Sequence, residues 1–326
     1  MNQNTLKHTV LTTLSATALA LSLGGTSRAE TKPAPGGEAQ AARADVQKTL
    51  GFTPGFIKAL PDNMVPGAWA ELKSLQAAPN TALPCYLKEI IGVAVSAQLP
   101  SAPLVYGYSQ VAKAAGATPA QIADGVAIAA ITRHWSTFMN GVQLDETKFR
   151  ADLNKFLGDI KKAMAAGTPP PAQTPIKVVD AKSALADIRQ SMMGNVPEFL
   201  ARFPAPGLAG AWLEERDVEL SESTALTGKQ KSLVGLAVAA QIPCRYCIVA
   251  DTELAKLAGA TDAEITEAVA MGGIARHWAT VFTGFALDEA AYRKDMDRIA
   301  KLVAAYGKTA SGEKPGKAAT AMTSTK

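Results

Sequence analysis

The stretch KSLVGLAVAAQI (231–242) is apolar on nearly every side and shows no strand-like alternation. At about a dozen residues it reads as a buried helix. CRYCIVADTELAKLAG follows, with apolar residues at Ile248, Leu254, Leu257 and Ala258 and Gly259 as a C-terminal stop. The next segment opens at Thr261 with Glu264 three residues on, a capping box. DEAAYRKDMDRIAKLVAAYG is amphipathic, with opposite charges at i,i+4 spacing. No segment asks to be a strand, so the expected fold class is all-α.

The same pattern occurs twice. Trp69 and Trp135 recur as Trp212 and Trp278, and His134 recurs as His277, each 143 positions later. From Pro84 to Glu146, 26 of 63 ungapped pairs at that offset are identical. The register extends back through FIKALPDNMVPGAW and FLARFPAPGLAGAW. This predicts a tandem duplication, with the two repeats packed as a pseudo-dimer inside one chain. The expected organisation is a leader at 1–29, repeat 1 at 41–166, a Pro-rich linker at 167–179, repeat 2 at 180–307 and a disordered tail at 308–326, with residues 30–40 also disordered.

The leader has Lys7 and His8 at a polar start, an apolar run from Val10 to about Leu23, and Ser27 and Ala29 as small residues at a cleavage position. That is the pattern of a signal peptide, and the apolar run is shorter than the ~20 residues of a spanning helix. The expectation is an exported, periplasmic protein with no membrane segment after cleavage. A formal charge of +4, with 33 basic and 29 acidic residues interleaved, gives no reason to expect a nucleic-acid partner. A hydrophobic share of 48% suffices for a large core.

Cys244 and Cys247 are two of the three cysteines. A haem anchor wants a His where Ile248 stands, and structural zinc wants four ligands that the chain does not group together. No metal and no cofactor is expected. A redox-active dithiol and an inert staple remain; a staple closing so short a loop removes little chain entropy, which favours redox chemistry. Pro243 breaks one helix and the pair opens the next, where backbone N–H groups and Arg245 favour a thiolate while Asp251 opposes it.

AVAAQIPCRYCIVADTELAKLAGATDAEITEAVA resembles the core of the carboxymuconolactone decarboxylase-like superfamily, in its alkylhydroperoxidase D-like (AhpD-like) branch. The likeness rests on Cys244, Cys247, Gly259-Ala260, Thr261 and Glu264-Ile265, is strong over about 60 residues of the second repeat and weaker over the first, and covers less than half the chain. The resemblance implies an all-α, oligomer-forming thiol oxidoreductase. Cys247 would be the peroxidatic cysteine and Cys244 the resolving one. The substrate would be a peroxide or a disulfide, and the partner a thiol reductant of unknown identity. The family's relay Glu falls at Ser232, its relay His at Asp251, and a common His before the second cysteine at Tyr246. Peroxide turnover is therefore expected to be slow.

In repeat 1 the relay Glu is present as Glu89, while Ser101, Leu104 and Tyr108 take the cysteine and His positions. That repeat reads as a scaffold without thiol chemistry. His277 is the only imidazole of repeat 2 that could replace the missing base, against a packing role shared with His134. Cys85 reads as a buried free thiol, the tryptophans as core, and Arg133 and Arg276 as braces of helix junctions. Two other readings stay open: a non-catalytic binding module, and a decarboxylase or isomerase of the same superfamily, whose members generally lack the paired cysteines.

Overall fold

The computed structural model describes residues 36–99, 101–167 and 175–310. The leader at 1–29 lies outside them. Among the described residues, fourteen α-helices follow one another: α1 (Gly37–Leu50), α2 (Gly55–Lys58), α3 (Val65–Glu71), α4 (Cys85–Gln98), α5 (Ala102–Ala114), α6 (Pro119–Gly141), α7 (Glu146–Ala165), α8 (Ala181–Ser191), α9 (Glu198–Ala201), α10 (Ala205–Glu214), α11 (Gly228–Gln241), α12 (Arg245–Leu257), α13 (Asp262–Gly284) and α14 (Glu289–Ala310). Among the described residues there is no strand, so the all-α expectation holds.

Two stretches expected to be disordered lie partly within the described residues and are helical there; the rest of each lies outside them. Helix α1 begins inside residues 30–40, and α14 runs three residues into the expected tail. In α14 the Glu289–Arg293 pair at 2.7 Å continues the i,i+4 charge pattern of an amphipathic helix.

Helices α3 and α10 each run into one π-helical turn, Leu72–Gln76 and Glu215–Glu219. Such turns are rare and often sit at functional sites. Their positions differ by 143, as do the starts of α4 and α11, α5 and α12, α6 and α13, and α7 and α14.

The centre is built from α4, α6, α11 and α13. Helix α4 packs against α6, α11 and α13, and α11 against α6 and α13. Every residue from Leu87 to Ser96 of α4 and from Lys231 to Ala239 of α11 is buried, as helices apolar on all sides require. Burying one Leu, Ile or Val there is worth ~1.5–3 kcal/mol. The lysines within these runs are satisfied by backbone: Lys88 Nζ donates to the Leu75 and Ala78 carbonyls, and Lys231 Nζ to those of Val218 and Ser221. Each lysine thereby pins the end of a π turn.

Polar ties also cross between the halves. Asp124 on α6 accepts from the Leu226 N–H at 2.8 Å, and Glu267 on α13 accepts from the Ala82 N–H at 2.7 Å. The last long helix of each half lies over the other half, α7 against α12 and α14 against α5.

Candidate functional site

Helix α11 ends at Gln241, and Cys244 is the N-cap of α12. The Cys244 sulfur accepts from the Cys247 N–H at 3.2 Å, so the sulfur itself satisfies one of the free donors of the helix start. The two cysteines are joined as a disulfide, with their Cα atoms 5.4 Å apart. Cys244 is fully buried, whereas Cys247 is 7% exposed and lines a cavity of about 130 Å3.

The first half helps hold this loop in place. The Tyr246 hydroxyl donates to the Leu144 carbonyl at 2.6 Å, and its ring meets Phe149 edge-on. Arg245 pairs with Glu146 at 2.9 Å, so its charge is engaged by a carboxylate of α7.

The cavity is walled by both halves. Ile131, Trp135 and Met139 come from α6 and Phe149 from α7, while Glu215 and Glu219 come from the π turn and Cys247 and Asp251 from α12. Trp135 donates its ring N–H to Glu215 Oε2 at 2.8 Å. Asp251 is accommodated because Gly235 of α11 faces it; a Cβ there would stand 3.0 Å from both carboxylate oxygens.

Three carboxyls grouped at one cavity, Asp251 buried and Glu215 and Glu219 half-buried, disfavour their own ionisation. Burial and then the Glu219 charge push Glu215 up to about 8, though the Trp135 N–H and Lys231 work against the shift. Burial pushes Glu219 up to about 7, opposed by Lys231. Asp251 is raised well above the carboxylate range by burial and by both glutamates. The group therefore holds protons near neutral pH and titrates as a unit. Asp251 consequently does not oppose a neighbouring thiolate as a permanent anion would.

Glu215 and Glu219 were not among the residues the sequence singled out. The available signal was the 143-residue offset, which sets them opposite Leu72 and Gln76, so both acids occur only in the half with paired cysteines. Ser232, at the expected Glu position, donates to the Gly228 carbonyl of its own helix at 3.1 Å and does not line the cavity. His277 lies on α13, half-buried and edge-on to Trp278, which lines a different cavity. The structure thus brings Cys247 together with Asp251 and two further acids, but not with His277.

The other singled-out residues are placed as follows. His134 stacks on Trp135 at 4.9 Å. All four tryptophans are buried, and Trp69 and Trp212 donate to Asp45 and Asp187. Arg133 and Arg276 are exposed. Cys85, expected to be buried, is half-exposed on the wall of the second cavity, because it opens α4 at the surface end. Among the described residues, no group of three or more His, Cys, Asp or Glu side chains could hold a metal ion, and no helix is long and apolar enough to cross a membrane.

The fold and the site define an all-helical protein with a cysteine pair at a helix start, one sulfur facing a small acid-lined cavity. Residues 206–290, from α10 through α13, match the model of the carboxymuconolactone decarboxylase family, which includes enzymes. That span holds both cysteines, Asp251, Glu215, Glu219 and His277, and supports the superfamily for this part of the chain. No curated protein and no solved structure matches the chain.

Proposed function

We propose that the protein is a thiol oxidoreductase that reduces a small peroxide, with Cys247 as the attacking residue and Cys244 as the resolving one. The observation that carries this reading is the shared cavity: Cys247 lines it together with Asp251, Glu215 and Glu219, and Cys244 does not. The cavity's size favours a small substrate. An apolar cavity of ~150 Å3 holds one benzene ring, so 130 Å3 suits hydrogen peroxide or a short alkyl hydroperoxide. A protein disulfide would not reach a sulfur that is 7% exposed without opening the start of α12.

With the pair reduced, the Cys247 proton passes to an ionised carboxylate of the acid group. The thiolate attacks the terminal peroxide oxygen; an S–O bond forms and the O–O bond breaks. The acid group returns the proton to the departing oxygen, which leaves as alcohol or water. Cys244 then displaces hydroxide from the Cys247 sulfenic acid, and its own proton completes a water molecule. One peroxide has been reduced by two electrons and two thiols have become a disulfide, which an external dithiol must reopen. Groups that titrate near the working pH suit this two-way proton traffic. The glutamates of the π turn thus take the part that the Ser232 and Asp251 positions had seemed to leave empty.

The first half supplies walls rather than thiols. The matched helix positions and the exchanged α7 and α14 support reading the halves as duplicated units related by a pseudo-two-fold axis. The leader pattern supports export.

Stopped-flow oxidation of the reduced protein by hydrogen peroxide tests the chemistry. Cys247→Ser is expected to abolish it, and Cys244→Ser to leave a sulfenic acid that dimedone labels. Two thiols that stay free after excess peroxide would refute the reading.

A further inference from the structure

The first half contains a second and larger cavity, of about 340 Å3. The 143-residue offset sets it opposite the cysteine cavity, with Leu72, Gln76, Leu104 and Tyr108 in the places of Glu215, Glu219, Cys247 and Asp251. Its distal wall is borrowed from the other half through Trp278, Phe282 and Tyr292. Most of its lining is aromatic or aliphatic, and its size falls in the range of small-molecule sites.

Two adjoining polar groups in it, Glu89 and Gln76, are each left with an unpaired oxygen. Glu89 is 4% exposed; its Oε1 accepts from Gln76 Nε2 at 3.2 Å, and its Oε2 has no hydrogen-bond partner. Lys88, beside it in sequence, acts on it only through space: its ammonium is engaged by the Leu75 and Ala78 carbonyls and Thr81, and it pairs with Glu267 at 3.7 Å. A buried carboxyl oxygen left unpaired costs on the order of 1–3 kcal/mol. A leucine at this position would fill an apolar wall at no such cost.

We infer that this cavity binds a neutral small molecule with an apolar body of about two rings and a hydroxyl that bonds the free oxygen of Glu89. A neutral head matches the electrostatics. Burial pushes Glu89 up to about 7, so much of the time it is an acid that both donates and accepts, as a hydroxyl does. A charged head would have to be desolvated against aromatic walls. The inference concerns a different cavity from the cysteines and does not depend on their chemistry.

The test titrates the full chain with 2-naphthol by calorimetry, with naphthalene and 2-naphthoate as comparisons. Two fused rings exceed the cysteine cavity, so binding there does not interfere. The expected result is one site for 2-naphthol, with naphthalene and 2-naphthoate each at least tenfold weaker. Glu89→Leu should weaken 2-naphthol about tenfold, the worth of one net hydrogen bond. Ala115→Trp, which adds bulk on the cavity wall, should abolish binding, with circular dichroism and melting temperature showing that each variant is folded. Equal affinity for naphthol and naphthalene, no binding of 2-naphthol, or full binding by folded Ala115→Trp would each overturn the inference.

Discussion

At the scale of single residues, the proposed reaction runs through the acid group beside Cys247, and the protons of that group make two measurable differences. Glu219→Gln keeps the shape and removes one of the two glutamates that titrate near neutrality. It is expected to slow the peroxide reaction of the reduced protein by 10- to 100-fold at pH 7, in line with the weight of general acid–base groups. The pH dependence of its rate between 6 and 8 should also change, because Glu215 then titrates without the Glu219 charge beside it, which a purely structural residue would not cause. The second difference concerns stability. Glu89, Glu215 and Glu219 have folded values of about 7, 8 and 7 against 4.5 when exposed, and Asp251 shifts the same way. Between those limits the folded chain binds more protons than the unfolded one, so stability falls as pH rises. The melting temperature should therefore drop from pH 5 to pH 8. Glu89→Gln and Glu219→Gln should each flatten that slope, and a melting temperature that rises over this range would show that these carboxyls are not buried as described.

At the scale of elements, two glycines of the central helices separate packing from chemistry. A Cβ at Gly272 on α13 would stand 2.9 Å from the Ala237 carbonyl oxygen of α11, and neither backbone can yield locally. Gly272→Ala should lower stability by ~1–3 kcal/mol in denaturant melts, net of the ~0.5–1 kcal/mol that Ala adds to a helix. At Gly235 the obstacle is the Asp251 carboxylate at 3.0 Å, the movable end of a side chain. Gly235→Ala should change the melting temperature by only a few degrees while altering the rate of Cys247 oxidation, because the carboxylate must shift. Equal behaviour of the two variants in both assays would mean that Asp251 plays no part. These helices were legible beforehand. The Thr261 capping box forms as expected, with the Glu264 N–H donating to the Thr261 hydroxyl and the Glu264 carboxylate accepting from the Thr261 N–H. Gly259 stops α12 with a φ of 82°, a conformation that glycine adopts freely. The π turns were not legible, since a single extra residue per turn leaves no mark in hydrophobic spacing. Nor was the pairing of Trp135 with Glu215, which depends on how distant helices meet. That is why the acids stayed hidden while the cysteines did not.

At the scale of the whole molecule, neither cavity is complete without the other half. A fragment beginning at Pro175 would keep both cysteines but lose Trp135 against Glu215, the Leu144 carbonyl that holds Tyr246, and α4 and α6 against α11. Exposing several side chains worth ~1.5–3 kcal/mol each would exceed the ~5–15 kcal/mol that holds a typical domain. That fragment is expected to aggregate or to form a homodimer in light scattering. A soluble monomer with full helical circular dichroism would show that the halves are independent.

The exchange of walls has a consequence for how such a protein can change over generations. Two identical chains that pair through a two-fold axis must carry two identical pockets, and every substitution is made in both at once. On the duplication reading, joining the chains lifts that restriction: Leu104 and Cys247, or Gln76 and Glu219, become separate inheritable choices. Because each pocket takes a wall from both halves, however, the two cannot drift apart without limit. Selection acting on either pocket restrains residues in both halves.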